Sequence, residues 1–167
     1  WDDLAAAIIA KRFAEAQAMI ETQAGLADAW LTPGEIADLR AHIVDVSRMD
    51  VVMAEHFRER IGQRTTAQHE GREVGVELRA LSGNRVSVLL IDEKTRQTQV
   101  QPVVLPASRI HVLERIRWLG PIDTSAKRTM KYILFMEAGD HAGARVWVSG
   151  PSPLAEALIR AAEGGHP

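Results

Sequence analysis

His42 stands four residues after Asp38 and three before Asp45, a spacing that on a helix sets an imidazole between two carboxylates. His56 follows Met49 by two helical turns in the same stretch. A zinc site would need further ligands from elsewhere, and the His-Glu-x-x-His spacing is absent, so no metal is expected and the face reads as solvated.

A second group is His69-Glu70-Gly71-Arg72, in a polar stretch expected to be the loop entering the strands, where a general base would be exposed. With His111 added, His69, Glu70 and Arg72 make the candidate ligand site of an enzyme or small-ligand binder, its pocket expected between sheet and helices. No Cys pair follows to complete a deaminase-type zinc centre. A third group, Lys127, Arg128 and Lys131 on one helix with His141 and Arg145 just beyond, is the candidate partner-binding patch for an acidic peptide or a phosphate. The everyday alternative for each group is loop polarity or a solvated helix face.

Motifs that mark common active sites are missing. There is no Gly-x-x-x-x-Gly-Lys-Ser/Thr, no Gly-x-Ser-x-Gly and no Ser-x-x-Lys. Gly139 and Gly143 are four apart, but no strand precedes them to build a dinucleotide cradle. The chain has no cysteine, which removes disulfides, thiolate metal sites and cysteine nucleophiles together. No catalytic residue is assigned and no cofactor is expected.

Twenty Lys and Arg against 22 Asp and Glu give a net charge of −2, too balanced to signal a nucleic-acid partner. Residues 1–64 carry 7 bases and 11 acids, and residues 65–120 carry 8 and 6, so the middle is only mildly basic. No aromatic residue lies between Phe57 and Trp118, which leaves that segment without a platform for stacked bases. No run of eighteen apolar residues occurs, so no membrane insertion is expected; the compartment stays open. The chain opens on Trp1 without a secretory-type leader, which fits a piece of a longer protein.

These residues need elements to hold them. Ile9, Phe13, Ala16 and Ile20 recur at helical steps in an alanine-rich opening, predicting one or two helices that end near Gly25. Thr32-Pro33-Gly34-Glu35 is a capping box with proline at the first helical position. From it Ile36, Leu39, Ile43, Val46, Met53 and Phe57 predict one long helix of about 27 residues, in whose seam Asp50 fixes register, bonds a neighbour or, the favoured reading, marks where the seam frays into solvent. If uncovered, this seam would allow self-association.

Near Glu73 the rhythm becomes alternating. Val74, Val76 and Leu78, then Val86, Val88 and Leu90, predict two strands around Ser82-Gly83-Asn84, and Val100–Leu105 predicts a third, at an edge because of Pro102. Residues 106–119 read as a helix stopped by Gly120-Pro121, or as a turn and a final strand through Ile110 and Val112. Asp123 or Thr124 caps a helix to Ala138; a short helical piece covers His141–Val148, and Ser152-Pro153 opens the last helix before a frayed tail. Trp30, Trp118, Trp147, Phe13, Phe57 and Tyr132 are placed singly, as anchors between packed elements.

The expected organisation is a helical arm over 1–64, a small antiparallel β unit over 70–105 and C-terminal helices over 107–165. The fold class is α+β, with helical segments bracketing a small antiparallel sheet or partial barrel.

Ile8–Ile20 and Phe135–Trp147 share an apolar helix end, a tight turn and alanines spaced two apart. This echo resembles tetratricopeptide-like helical hairpins, and the alternating middle resembles an Sm- or SH3-like small barrel. Together they resemble uncharacterised regions of large bacterial signalling proteins, including membrane-anchored kinases. The resemblance implies a non-catalytic interaction or spacer module whose partner is a protein or peptide, and it transfers no functional residue.

Overall fold

The computed structural model describes residues 1–25, 31–148 and 152–164; Trp30 lies outside them, as does most of the expected frayed tail. The fold is α+β, with eight α-helices and one open four-stranded antiparallel sheet among the described residues. The chain forms two compact units: Trp1–Met49 joins Ile122–Pro167 in a helical unit, and Asp50–Pro121 forms a sheet unit. The two helical ends thus belong to one body, with the sheet unit as an insertion, and are not separate arms.

The helical unit contains α1 (Asp2–Ile9), α2 (Phe13–Ala24) and α3 (Pro33–Ser47), then α6 (Ser125–Glu137), α7 (His141–Arg145) and α8 (Pro153–Ala162). Thr32 and Glu35 make the expected capping box, Thr124 Oγ1 accepts from the Lys127 N–H, and Ser152 Oγ accepts from the Ala155 N–H. The predicted long helix, however, stops at Ser47. The Ser47 hydroxyl donates to the Val44 carbonyl at 2.7 Å, and the Arg48 N–H turns to the Asp45 carbonyl at 3.2 Å, breaking the ladder. α4 (Met49–Phe57) then begins, with Met49 buried and Asp50 exposed to water. Ile36, Ile43, Val46, Met53 and Phe57 are buried by the chain itself and Leu39 is half-buried, so little of this seam is uncovered.

The internal echo corresponds to two matching turns. After α1 the Arg12 N–H donates to the Ala7 carbonyl at 2.8 Å, and after α6 the Asp140 N–H donates to the Phe135 carbonyl at 3.0 Å. Each turn holds one residue in the left-handed region, Lys11 at φ 57° and Gly139 at φ 73°, and each following helix buries an alanine completely, Ala16 and Ala144. Small side chains there let helices approach closely. The turns are tied by Lys11 Nζ to Glu137 Oε1 at 2.5 Å, while Arg160 to Asp2 links α8 to α1 and Arg145 to Glu163 links α7 to α8. In the core, Tyr132 is fully buried and donates its hydroxyl proton to the Leu158 carbonyl at 2.7 Å.

In the sheet unit β1 (Arg64–His69), β2 (Arg72–Ser82), β3 (Arg85–Leu90) and β4 (Val103–Pro106) follow one another as a meander. β1 was not expected, because only Ala67 among its residues is apolar; Thr65 and Thr66 suit a pleated surface instead. His69–Arg72 is consequently a hairpin and not a loop: Glu70 and Gly71 sit at φ 50° and 77°, the two positive values a tight hairpin turn requires. Val100 is 93% exposed and precedes β4, which starts at Val103. Residues 106–119 are neither one helix nor a strand but a 3-10 turn, an isolated bridge from Ile110 to Ala67, and α5 (Val112–Arg117). One face of the sheet buries Val76, Leu78, Val86, Val88 and Leu105. Phe57 meets Trp118 edge to face at a centroid distance of 4.9 Å, both buried.

The deepest charge in the sheet unit is Glu114, whose side chain is 1% exposed. Arg60 donates to it twice, at 2.8 and 2.9 Å, and Arg117 Nη1 and Trp118 Nε1 each donate at 3.1 Å. Burial pushes its carboxyl up, but the hydrogen bonds from Arg60, Arg117 and Trp118 and the charge of Arg60 together hold it below the usual carboxylate range.

Candidate functional site

The capping box at Thr32 fixes where α3 begins and therefore which side chains share its faces. Glu35, Asp38, Leu39 and His42 fall at i, i+3, i+4 and i+7 and form one wall of a pocket of about 430 Å³. α6 packs beside α3 and supplies Ser125, Arg128 and Thr129 at i, i+3 and i+4 from the opposite side. Trp1, Leu31, Trp147 and the start of α8, including Leu154 and Leu158, complete the enclosure. A second pocket of about 250 Å³ adjoins it, lined by Leu4, Met19, Ile20 and Gln23 and sharing Trp1, Leu31 and Leu39. The shared residues set the two pockets side by side as the ends of one candidate groove, the smaller end lined by Asp3, Thr22 and Gln23 beside its apolar residues.

Within this groove His42 is committed. The Thr129 hydroxyl donates to the Ser125 carbonyl at 3.3 Å, so its oxygen accepts from His42 Nε2 at 3.1 Å, and that network assigns the proton to Nε2. Nδ1 is left as an acceptor facing the Ser125 hydroxyl at 3.5 Å. Burial pushes the His42 pKa down, with Asp45 pulling weakly the other way, so the ring is neutral near pH 7. Glu35 is committed as well: it accepts from the Thr32 N–H and hydroxyl, which hold its carboxyl below the usual range. Asp38 and Arg128 line the same pocket, and among the described residues neither makes an ion pair.

A scan against protein-family models, a search of curated sequences and a search of solved structures find no match.

The structure does not assemble the expected basic patch. Lys127 turns to Asp123 at 3.4 Å, Lys131 lies 3.3 Å over the Trp147 ring where burial lowers its pKa, and Arg145 pairs with Glu163 at 3.0 Å. His141 is exposed at the start of α7, and Arg128 alone of the five enters a pocket wall. The patch fails because Lys127, Lys131 and Arg145 are each engaged by a different neighbour, two carboxylates and an indole ring, and do not turn to a common ligand.

Nor does the second group converge. His69 approaches Glu70 at 3.9 Å in the hairpin, with Arg72 opposite. His111 uses Nδ1 to accept from the Leu113 N–H at 3.3 Å, capping α5, and its own N–H donates to the Thr66 carbonyl, about 10 Å along β1 from His69. None of His69, Glu70, Arg72 and His111 lines either described pocket; both pockets belong to the helical unit alone. Among the described residues no cluster of three or more His, Asp or Glu is arranged to hold a metal, and no helix is long and apolar enough to cross a membrane. Sequence reasoning named Asp38, His42 and Arg128 but missed Trp1, Leu39, Ser125 and Thr129. The available signal was the i, i+3, i+4, i+7 face of α3, which mixes apolar and polar residues where a purely solvated face would be polar throughout.

Proposed function

We propose that this chain is a non-catalytic recognition module and that its helical unit holds a peptide segment of a partner protein. The observation that carries this is the pair of adjoining pockets that share Trp1, Leu31 and Leu39, read together as one groove: mostly apolar walls with a few polar groups in each pocket are the composition of a recognition site. The paired turns at Lys11 and Gly139, each followed by a buried alanine, support a reading as tetratricopeptide-like hairpins. The four-stranded meander inserted between them supports a small SH3-like companion, and the whole suits a region of a large bacterial signalling protein.

The test is selection of a displayed peptide library on the intact chain, followed by calorimetry on the enriched sequences. Binding should fall at least tenfold in Leu39→Glu, which puts a charge in the wall common to both pockets, while the circular dichroism stays unchanged. Absence of enriched peptides, or enriched peptides that bind Leu39→Glu undiminished, would overturn the reading. The larger pocket by itself has the volume of a small-molecule site, which favours a metabolite as the second reading. A thermal-shift screen separates the two, since a ligand at 100 times its Kd adds about 2.7 kcal/mol of stability.

A further inference from the structure

The charges in the groove specify its occupant more narrowly. Four ionisable side chains line the larger pocket from α3 and α6: Glu35, Asp38, His42 and Arg128. Glu35 is spent on the Thr32 capping box, and His42 is neutral between Thr129 and Ser125. Asp38 and Arg128 remain, one carboxylate on α3 and one guanidinium on α6, both on the wall and neither in an ion pair among the described residues. Opposite charges that share a cavity without pairing each retain capacity for a charge-assisted bond to something placed there. A guanidinium further offers a planar fork that matches a carboxylate.

Resting on the peptide reading above, we propose that the groove selects a segment of mixed charge. An Asp or Glu of the partner faces Arg128, a Lys or Arg faces Asp38, and an apolar side chain enters the adjoining pocket beside Leu4, Met19 and Ile20, where the exposed Asp3 adds a carboxylate that disfavours a second acidic residue. A purely acidic segment would meet Asp38 and Glu35, and a purely basic one would meet Arg128, so each is disfavoured by a like charge. Complementary charges that stay exposed to solvent set selectivity and register more than total affinity. Each pair should therefore count for about fivefold in binding, the upper end for an exposed ion pair.

The experiment repeats the peptide selection with two charge-reversed forms of the full chain, Asp38→Lys and Arg128→Glu, beside the natural one. The natural chain should enrich peptides with one basic, one acidic and one apolar position. Asp38→Lys should convert the basic position to acidic and leave the acidic one alone, and Arg128→Glu should do the reverse. Both residues are exposed, so both variants should keep the natural circular dichroism; where one does not, Asp38→Asn or Arg128→Gln replaces it and should erase the preference without inverting it. Peptides that need Leu39 yet show no charge preference, or a preference that neither reversal moves, overturn this proposal and leave the groove reading intact. Failure to enrich any peptide overturns both.

Discussion

Replacing Glu114 tests the sheet unit where its energetics are most exposed to error. The carboxylate accepts four hydrogen bonds, and its side chain is 1% exposed. Breaking a buried ion pair by removing one member costs about 3–5 kcal/mol. Here the two cations retain some access to water, with side chains 24% exposed for Arg60 and 63% for Arg117, so part of that cost is relieved. The Trp118 indole has no such relief, and an unsatisfied buried donor costs about 1–3 kcal/mol. Glu114→Gln keeps the shape and one acceptor and should cost about 2 kcal/mol; Glu114→Ala adds a cavity and should cost about 4 kcal/mol.

The assay is urea unfolding followed by Trp118 fluorescence in a background where Trp1, Trp30 and Trp147 are phenylalanine, so that the sole indole reports the unit holding Glu114. The folded-state pKa of Glu114 is depressed, so its contribution is present above the unfolded value near 4.5 and is lost as pH falls through the lower folded value. The gap between the natural residue and Gln must therefore narrow below pH 4.5. A loss under about 0.5 kcal/mol for Glu114→Gln at pH 7, or a gap that persists undiminished into acid, would mean that the four bonds behave as a hydrated surface pair, and the reasoning would fail.

Three further outcomes are expected. Gly120 sits at φ 67° with its missing Cβ directed into the His56 ring, so Gly120→Ala should cost more than about 2 kcal/mol; adding His56→Ala should recover the clash and leave about 1–2 kcal/mol for the left-handed backbone, measured by the same urea titration. Lys11 holds φ 57° as a non-glycine residue, so Lys11→Gly should relieve about 1 kcal/mol of strain against the loss of a half-exposed pair with Glu137, whereas Lys11→Ala loses the pair with no relief; the order of melting temperatures, Gly above Ala, checks this. His42 has a folded pKa below its usual 6.5, so the neutral ring stabilises the helical unit fully above that value and progressively less as pH falls beneath it; the pH slope of stability between 6.5 and 5 should flatten in His42→Gln.

Most of the helical unit was legible because its signals are local. Thr32 and Glu35, Thr124, Ser152 and the two echoed turns each act within a few residues and formed as expected. The break after Ser47 was not, since its cause is one hydroxyl competing for one carbonyl within an otherwise uninterrupted helical pattern. β1 was missed for the opposite reason: its threonines and glutamine satisfy a ladder without marking a buried face, and its identity is fixed by its partner Arg72–Ser82. The Arg60–Glu114 pair joins residues 54 apart, and nothing in either neighbourhood sets them off from other surface charges. The same holds for Asp38 and Arg128, whose place in one pocket depends on α6 returning to α3 after the whole inserted unit.

This difference in range also governs how the groove is held. The meander pairs each strand with its neighbour in sequence, so its contacts close short loops at little entropic cost. The helical unit instead closes through its extremes: α1 packs on α8, and Arg160 reaches Asp2 at 2.6 Å. Trp1 is the cap of α1 and lines both pockets, so the packing of α1 on α8, with the Arg160–Asp2 pair beside it, places one wall common to the two. That pair is half exposed, with side chains 49% and 52% accessible, and by itself is worth no more than about 1 kcal/mol. The larger part of the hold on α1 is its apolar face, with Leu4, Ala5, Ala7 and Ile8 all buried, so Trp1 is placed at both pockets chiefly by packing and only secondarily by that pair.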